Sequence, residues 1–297
     1  MTRINAGIIG TGFIGPAHVE ALLRIGGVRV VALSSNERAR ADGIASRFGI
    51  PGVYDRWEDL VADPSVAVVH NCTPNNLHFE INRAALAAGK HVVSEKPLTL
   101  TGRESLELVR LARESGMVNA VNYNYRFYPL VQQAEGMVRR GEIGDVRLVH
   151  GHYLQDWLFH EDDYNWRLEP AVGGASRAMA DIGTHWCDLV QFVTGRKITA
   201  VSAVLQTVHP YRVKPGARSA TFKGKNAHGR GKGSRVRVRT EDAAIVMFAL
   251  EGGARGVVEF GEGVEGHNGR TSPLAQNHQP PVCAKLETQV FAHFFRS

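Results

Sequence analysis

The sequence predicts an α/β fold whose N-terminal half is a doubly wound parallel sheet, and three observations predict it. Short apolar runs alternate with helix-compatible segments from residue 4 to residue 122. The first run leads into Gly10-Thr-Gly12-Phe13-Ile14-Gly15, a glycine pattern set between a strand and a helix. A later run, Val66-Ala-Val-Val-His-Asn71, is apolar without alternation, as in a strand covered on both faces.

The elements follow in order. Strands are expected over 4–10, 28–33, 66–71, 91–94 and 118–122, and helices over 12–23, 36–48 and 77–88, the last stopped by Gly89. Thr101-Gly-Arg-Glu104 fits a capping box and opens a helix running to Ser115. A sheet of this kind holds its ligands at the C-terminal ends of its strands.

The glycines state what that ligand is. Gly10 permits the tight turn, Gly12 lets backbone approach a pyrophosphate, and Gly15 lets helix and strand pack closely. Phe13 and Ile14 lie in the same turn, where the helix N-terminus offers unpaired N–H groups to phosphates. The end of the second strand bears on which dinucleotide binds. It reads Leu33-Ser34-Ser35-Asn-Glu37-Arg38, with no acid at the strand end for ribose hydroxyls. Ser34, Ser35 and Arg38 suit a 2′-phosphate, so NADP is favoured, while Glu37 keeps NAD open.

Two further segments carry groups that can move protons. Ser94-Glu95-Lys96-Pro97 follows a strand, so Lys96 is expected near the reactive end of the dinucleotide. Ala180-Asp181-Ile-Gly-Thr-His185-Trp-Cys-Asp188 reads as part of an amphipathic helix running to about Thr194, where a spacing of four puts Asp181 and His185 on one face.

Composition removes several classes. The 297 residues are enough for two ordinary domains with a full core. Neither a membrane span nor a secretory segment stands out, and Met1-Thr-Arg-Ile-Asn runs directly into a strand. Cys72, Cys187 and Cys283 are scattered, which argues against a zinc ribbon or disulfide framework and suits a reducing cytoplasm. The net charge of +6 comes from one segment: ten Lys or Arg and no acid lie between Arg212 and Arg239. Without them 25 basic residues face 29 acidic ones, so the charge does not imply a nucleic-acid partner. The segment, rich in glycine, reads as a solvated loop between two strands, with a phosphate or acidic-partner site as the second reading.

Together these motifs resemble a known family. Gly10-x-Gly12-x-x-Gly15, Thr73-Pro74-Asn75-x-x-His78, Glu95-Lys96-Pro97 and Asp181-x-Gly-x-His185 occur in the order and approximate spacing of the glucose–fructose oxidoreductase, inositol dehydrogenase and rhizopine-catabolism (Gfo/Idh/MocA) family, over about residues 4–260. The resemblance implies a Rossmann domain over 1–125 and an α+β substrate domain over 126–261, built on an open, mostly antiparallel sheet that commonly makes the oligomer interface. It implies an NAD(P)-dependent oxidoreductase that moves a hydride between nicotinamide and a secondary alcohol of a sugar, inositol or related polyol. By the same resemblance Lys96, Asp181 and His185 are catalytic and contact substrate. Thr73, Pro74, Asn75, His78, Glu95, Lys96 and Asn124 line the cofactor, and Arg126, Trp166 and Arg167 contact substrate.

Residues 262–297 depart from that pattern. Family members continue with further strands and a returning helix, whereas this stretch shows neither helical nor strand periodicity. It is expected to be an irregular tail that adds no strand, as in a truncated or frame-shifted chain or in a natural divergent tail. Two other classes stay open. One is a non-catalytic dinucleotide-binding regulator, which needs the glycines but not Lys96, Asp181 and His185 together. The other is a metal-dependent sugar enzyme using His152, Asp156, His160, Asp162 or Asp163, which lack convincing ligand spacing.

Overall fold

The computed structural model describes residues 3–216, 233–263 and 293–294. By internal contact the chain forms two units, Met1–Tyr123 with Ala171–Gly174, and Asn124–Pro170 with Ala175–Ser297.

The first unit is the doubly wound sheet. Its chain runs β1 (Ile4–Ile9), α1 (Ile14–Ile25), β2 (Val28–Ser34), α2 (Arg38–Phe48), β3 (Gly52–Tyr54), α3 (Trp57–Ala62), β4 (Val68–Asn71), α4 (His78–Ala87), β5 (His91–Ser94), α5 (Gly102–Ser115) and β6 (Asn119–Val121). The six strands are all parallel, in the order β3-β2-β1-β4-β5-β6. Alternation along each strand splits the core in two. Ile8 and Leu33 join Val19, Leu22 and Ala45 on one side, while Ile9 and Ala32 join Ile81, Leu86 and Leu108 on the other. Thr101 caps α5 as expected, its side chain accepting from Glu104 N and its backbone N–H donating to Glu104.

Sequence reasoning missed β3 and α3. A strand of three residues and a helix of six are too short to display a period. Three boundaries also move inward: α1 starts at Ile14, α2 at Arg38 and β4 at Val68.

The second unit holds α6 (Pro129–Arg139), β7 (Leu148–Leu154), α8 (Thr184–Thr194), β8 (Ile198–Gln206), β9 (Tyr211–Pro215), β10 (Gly233–Arg237), β11 (Ala243–Leu250), β12 (Arg255–Gly261) and β13 (His293–Phe294); the short α7 (Pro170–Gly173) belongs, after Pro170, to the first unit. Its main sheet runs β13-β7-β12-β11-β8. Only the β7–β12 pair is parallel; the other pairs are antiparallel. Helix α8 lays Trp186, Leu189, Val190 and Val193 against Val246, Phe248, Val258 and Phe260 of the sheet. On β8 and β11, Val201, Val204, Leu205, Ile245 and Met247 are exposed.

The expectations for the tail need correction at two places. His293 and Phe294 pair antiparallel with Val149 and His150 of β7, so the tail does contribute a short strand. Glu262, placed in the tail by its surroundings in sequence, is fully buried. Residues 264–292 lie outside the described residues, as do residues 217–232 of the basic segment. The described ends of that segment pair as the β9–β10 hairpin, and Arg212 is buried rather than solvated. Among the described residues no helix is long and apolar enough to cross a membrane.

Candidate active site

The glycine turn divides its labour by residue. Gly10 has φ of +99°, and a Cβ there would lie 2.5 Å from the Cys72 carbonyl oxygen. A Cβ on Gly15 would lie 2.2 Å from the Gly10 carbonyl oxygen, so these two glycines are demanded by the protein's own packing. At Gly12 a Cβ would meet nothing within 4 Å. The protein's own packing therefore does not require glycine at Gly12. Helix α1 begins beside it with no side-chain cap bond at Phe13 and no acid in its first turn, a helix start that suits an anion. Gly12, Phe13 and Ile14 thus fit a dinucleotide pyrophosphate.

Around the end of β2 the polar groups are already engaged. Ser35 Oγ lies 2.6 Å from Thr11 Oγ1 and accepts from Glu37 N at 3.1 Å, while Ser34 is buried. Arg38 pairs with Asp42 at 2.9 Å and Asp55 at 3.2 Å. Two carboxylates thus share one guanidinium.

The loops after β4 and β5 are tied together by buried polar side chains. Asn71 Oδ1 accepts from Thr73 N and Oγ1, and Asn71 Nδ2 donates to Asn82, which in turn donates to Ser94 Oγ at 2.8 Å. Pro74 is exposed, whereas Asn75 is buried and donates to the Gly173 carbonyl at 3.0 Å. His78 sits between the carbonyls of Pro97 (2.6 Å) and Thr73 (2.9 Å), clasping one loop to the other. Burial is the strongest influence on its pKa and lowers it, against the two carbonyls that favour the cation.

Glu95 anchors the strand end beside Lys96. Its Oε1 accepts from His18 Nε2 at 2.9 Å and Asn122 Nδ2 at 2.6 Å, and its Oε2 accepts from Lys96 N at 3.3 Å. His18 Nδ1 lies 2.9 Å from His70 Nδ1, so one of the two rings donates to the other. Burial, the largest influence, pushes the Glu95 pKa up, but the bonds from His18 and Asn122 with the nearby charge of Lys96 together hold it below its ordinary value. His70 is pulled down to about 4, chiefly by burial. Lys96 is half-buried at this rigid corner, and its peptide bond to Pro97 is cis.

In the second unit the expected amphipathic helix is two structures. Met179–Gly183 is a π turn in which Thr184 N bonds to the Met179 carbonyl, five residues back, and α8 starts only at Thr184. Asp181 lies in the wider turn and His185 in the first α turn, so the even spacing of one helix does not hold. The His185 ring is buried and stacks on Tyr125, centroids 4.3 Å apart. Asp181 Oδ2 pairs with Arg167 Nε at 3.1 Å. Arg167 lies over the Trp166 ring at 4.4 Å and beside Trp157 at 5.8 Å, which brings three of the expected residues to one place. Asn124 is exposed on the 3-10 turn Asn124–Phe127. Arg126 grips Asp188 through both Nε and Nη2 and stacks on Phe192 at 5.3 Å.

Beneath the π turn lies a charged network that the sequence reading did not find. Glu241 Oε1 accepts from Ser176 Oγ, Arg177 N and Met179 N at 2.8–2.9 Å, fastening the turn's entry. Arg177 bridges Asp242 and Glu262, the latter at 2.8 Å, and Asp242 also accepts from Arg212 at 2.8 Å. Arg212 donates as well to the carbonyls of Leu158, His160 and Asp163. These ionic side chains are buried, and they come from segments far apart in sequence. Glu262 has its pKa raised to about 8, first by burial and then by the neighbouring Asp181, against Arg177 and Arg167.

A glycine turn on a parallel sheet and a second unit carrying a buried imidazole and a carboxylate have the makeup of a dinucleotide-dependent oxidoreductase. Residues 4–123 match the family described as "Oxidoreductase family, NAD-binding Rossmann fold", and residues 131–275 match the Gfo/Idh/MocA C-terminal domain. The chain belongs to the Gfo/Idh/MocA family of oxidoreductases. It is 35% identical to levoglucosan dehydrogenase of Pseudarthrobacter phenanthrenivorans over 281 residues, 90% of this chain and 70% of the relative. It is 36% identical to 1,5-anhydro-D-fructose reductase of Ensifer adhaerens over 191 residues, 63% of this chain and 55% of that protein, little more than half its length. A solved structure of levoglucosan dehydrogenase in complex with NADH and L-sorbose superposes with a TM-score of 0.81 at 33% identity, covering 90% of this chain and 69% of that one.

Proposed function

We propose that the protein oxidises a secondary hydroxyl of a sugar, anhydrosugar or related polyol, or reduces the matching ketone. The observation that supports this most directly is the pairing in the second unit: a buried imidazole held by Tyr125, and a carboxylate held by Arg167. The bound dinucleotide supplies the hydride acceptor or donor. His185 takes the hydroxyl proton, or returns it in the other direction. Asp181 orients the hydroxyl or the imidazole, and Lys96 steadies the negative charge that develops on the oxygen. Trp166 and Arg167 offer a flat apolar face and a planar donor, a combination suited to a pyranose ring and its hydroxyls. Arg126 contributes indirectly, through its grip on Asp188.

NAD(H) is the cofactor this reading favours, in place of the NADP expected from sequence. Arg38 is already paired with Asp42 and Asp55, so it offers a 2′-phosphate less positive charge. The exposed apolar residues of β8 and β11 support self-association with a second copy through that face. A screen of sugars, anhydrosugars and inositols with NAD and NADP tests the reading by dinucleotide reduction. Turnover is expected with NAD on at least one polyol. Tight NADH binding without turnover on any of them would favour the regulator instead.

A further inference from the structure

Glu262 follows β12 directly and is wholly enclosed. Its backbone is built into the fold, for its N–H donates to the Asp242 carbonyl at 2.9 Å and its carbonyl accepts from Leu158 N at 3.1 Å. Of its two side-chain oxygens, Oε2 accepts from Arg177 Nη1 at 2.8 Å. The other, Oε1, meets no hydrogen-bond donor among the described residues, and the group next to the carboxyl is another carboxyl, that of Asp181.

The surrounding charges decide what must lie between them. Arg177 divides its guanidinium between Glu262 and Asp242, and Asp242 is shared again with Arg212. Arg167 faces the pair but bonds directly to Asp181. Glu241, the remaining acid of the network, is turned to the backbone N–H groups of Arg177 and Met179. Among the described residues the cations acting on Glu262 are Arg177 and Arg167, and each is shared with another carboxylate. Two ionised carboxylates adjacent in a dry site repel each other, and a single proton shared between them removes the repulsion while giving the orphaned oxygen a bond.

We propose that Glu262 is a positioning residue whose protonated carboxyl donates a hydrogen bond to Asp181 and holds that carboxylate, together with Arg167, in its working orientation. The inference rests on the reading of Asp181 as an active-site group. Arg167 then grips Asp181 by charge and Glu262 grips it by a neutral hydrogen bond, which leaves Asp181 its single negative charge for the substrate hydroxyl or His185. Ionisation of Glu262, centred near pH 8, replaces that bond with repulsion and releases Asp181.

The test has a substrate-free arm and a kinetic arm, both on the full chain. Carbon-13 carboxyl resonances followed against pH should show one Glu titrating near pH 8, with the Asp181 resonance moving in the same range. Glu262→Gln should abolish both changes, and Asp181→Asn should shift the Glu262 titration to lower pH. In the kinetic arm Glu262→Gln, which retains an N–H donor, should keep kcat at pH 7 within about threefold of the parent and lose the alkaline decline. Glu262→Leu should lower kcat roughly tenfold or more. A merely structural Glu262 would leave the pH profile unchanged in the Gln variant, and that result overturns the proposal. So does the absence of any Glu carboxyl titrating above about pH 6. If no polyol is turned over, the functional reading falls, while the carboxyl titrations still decide whether Glu262 holds Asp181.

Discussion

A methyl group would do different things at Gly12 and Gly15, although the two look alike in the motif. Gly15→Ala drives a Cβ to 2.2 Å from the Gly10 carbonyl, so backbone must shift; the expected loss of stability is about 2 kcal/mol or more. Gly12→Ala meets no protein atom, so the melting temperature should hold while NADH affinity falls roughly tenfold or more. Calorimetry and fluorescence titration separate the two; equal effects on stability would deny Gly12 its role toward a ligand. The proposed acid–base residues allow a second comparison. His185→Ala should lower turnover by roughly a hundredfold with NADH binding little changed, and Lys96→Ala should behave similarly. Undiminished turnover in either variant, at the parent's folded content, would remove that residue from the reaction. The glycines and the lysine were legible in sequence because each motif is local and its order along the chain is informative. Glu241, Asp242, Glu262, Arg177 and Arg212 were not, since single charges from distant segments carry no period, and an isolated Arg or Glu is ordinarily a surface residue.

At the scale of elements, the π turn is where sequence pattern and structure part. Residues 179–194 satisfy an α-helical pattern, and the one-residue widening at Met179–Gly183 leaves that pattern nearly intact. What maintains the turn is tertiary: Glu241 collects the N–H groups of Arg177 and Met179 along with the Ser176 hydroxyl. Glu241→Ala would strand buried donors, each costing about 1–3 kcal/mol, and would free the segment carrying Asp181. The expected outcome is a loss of about 3 kcal/mol in urea unfolding, with kcat reduced more than dinucleotide affinity. Full activity in a variant destabilised to that degree would mean the turn does not depend on Glu241. The same logic explains why the capping box at Thr101 was readable and β3 was not. A cap is written in four adjacent residues, whereas a three-residue strand is defined by its neighbour, β2.

For the whole molecule, two buried groups set opposite pH slopes. His70 is held near 4 against an ordinary 6.5, so the folded state binds fewer protons, and its contribution is present above pH 6.5 and lost as pH falls toward 4. Glu262 is raised from 4.5 to about 8, so its contribution is complete below pH 4.5 and lost as pH rises toward 8. Between pH 4.5 and 6.5 the two slopes oppose; above 6.5 that of Glu262 stands without its counterweight. Stability should therefore decline from pH 6.5 to 8, by at most about 1.4 kcal/mol per pH unit, and Glu262→Gln should flatten the decline. Urea titrations across that range check it, and an unchanged slope in the variant would assign the decline to other groups.

The one parallel pair of the second sheet has a further consequence, in time rather than in energy. Strand β7 ends at Leu154, and its neighbour β12 begins at Arg255, with β11 and β8 reaching β7 only through β12. As the chain emerges from a ribosome, every strand of the first sheet is available once Val121 has appeared. Strand β7 must then wait for about a hundred more residues, roughly 5–20 s of synthesis, before its partner exists. Through that interval Val149 and Tyr153, later among the most enclosed side chains, have no sheet to enter. A nascent chain stalled after residue 200 should thus carry a finished dinucleotide-binding unit followed by a sticky, unpaired strand, the form in which a chaperone would meet it.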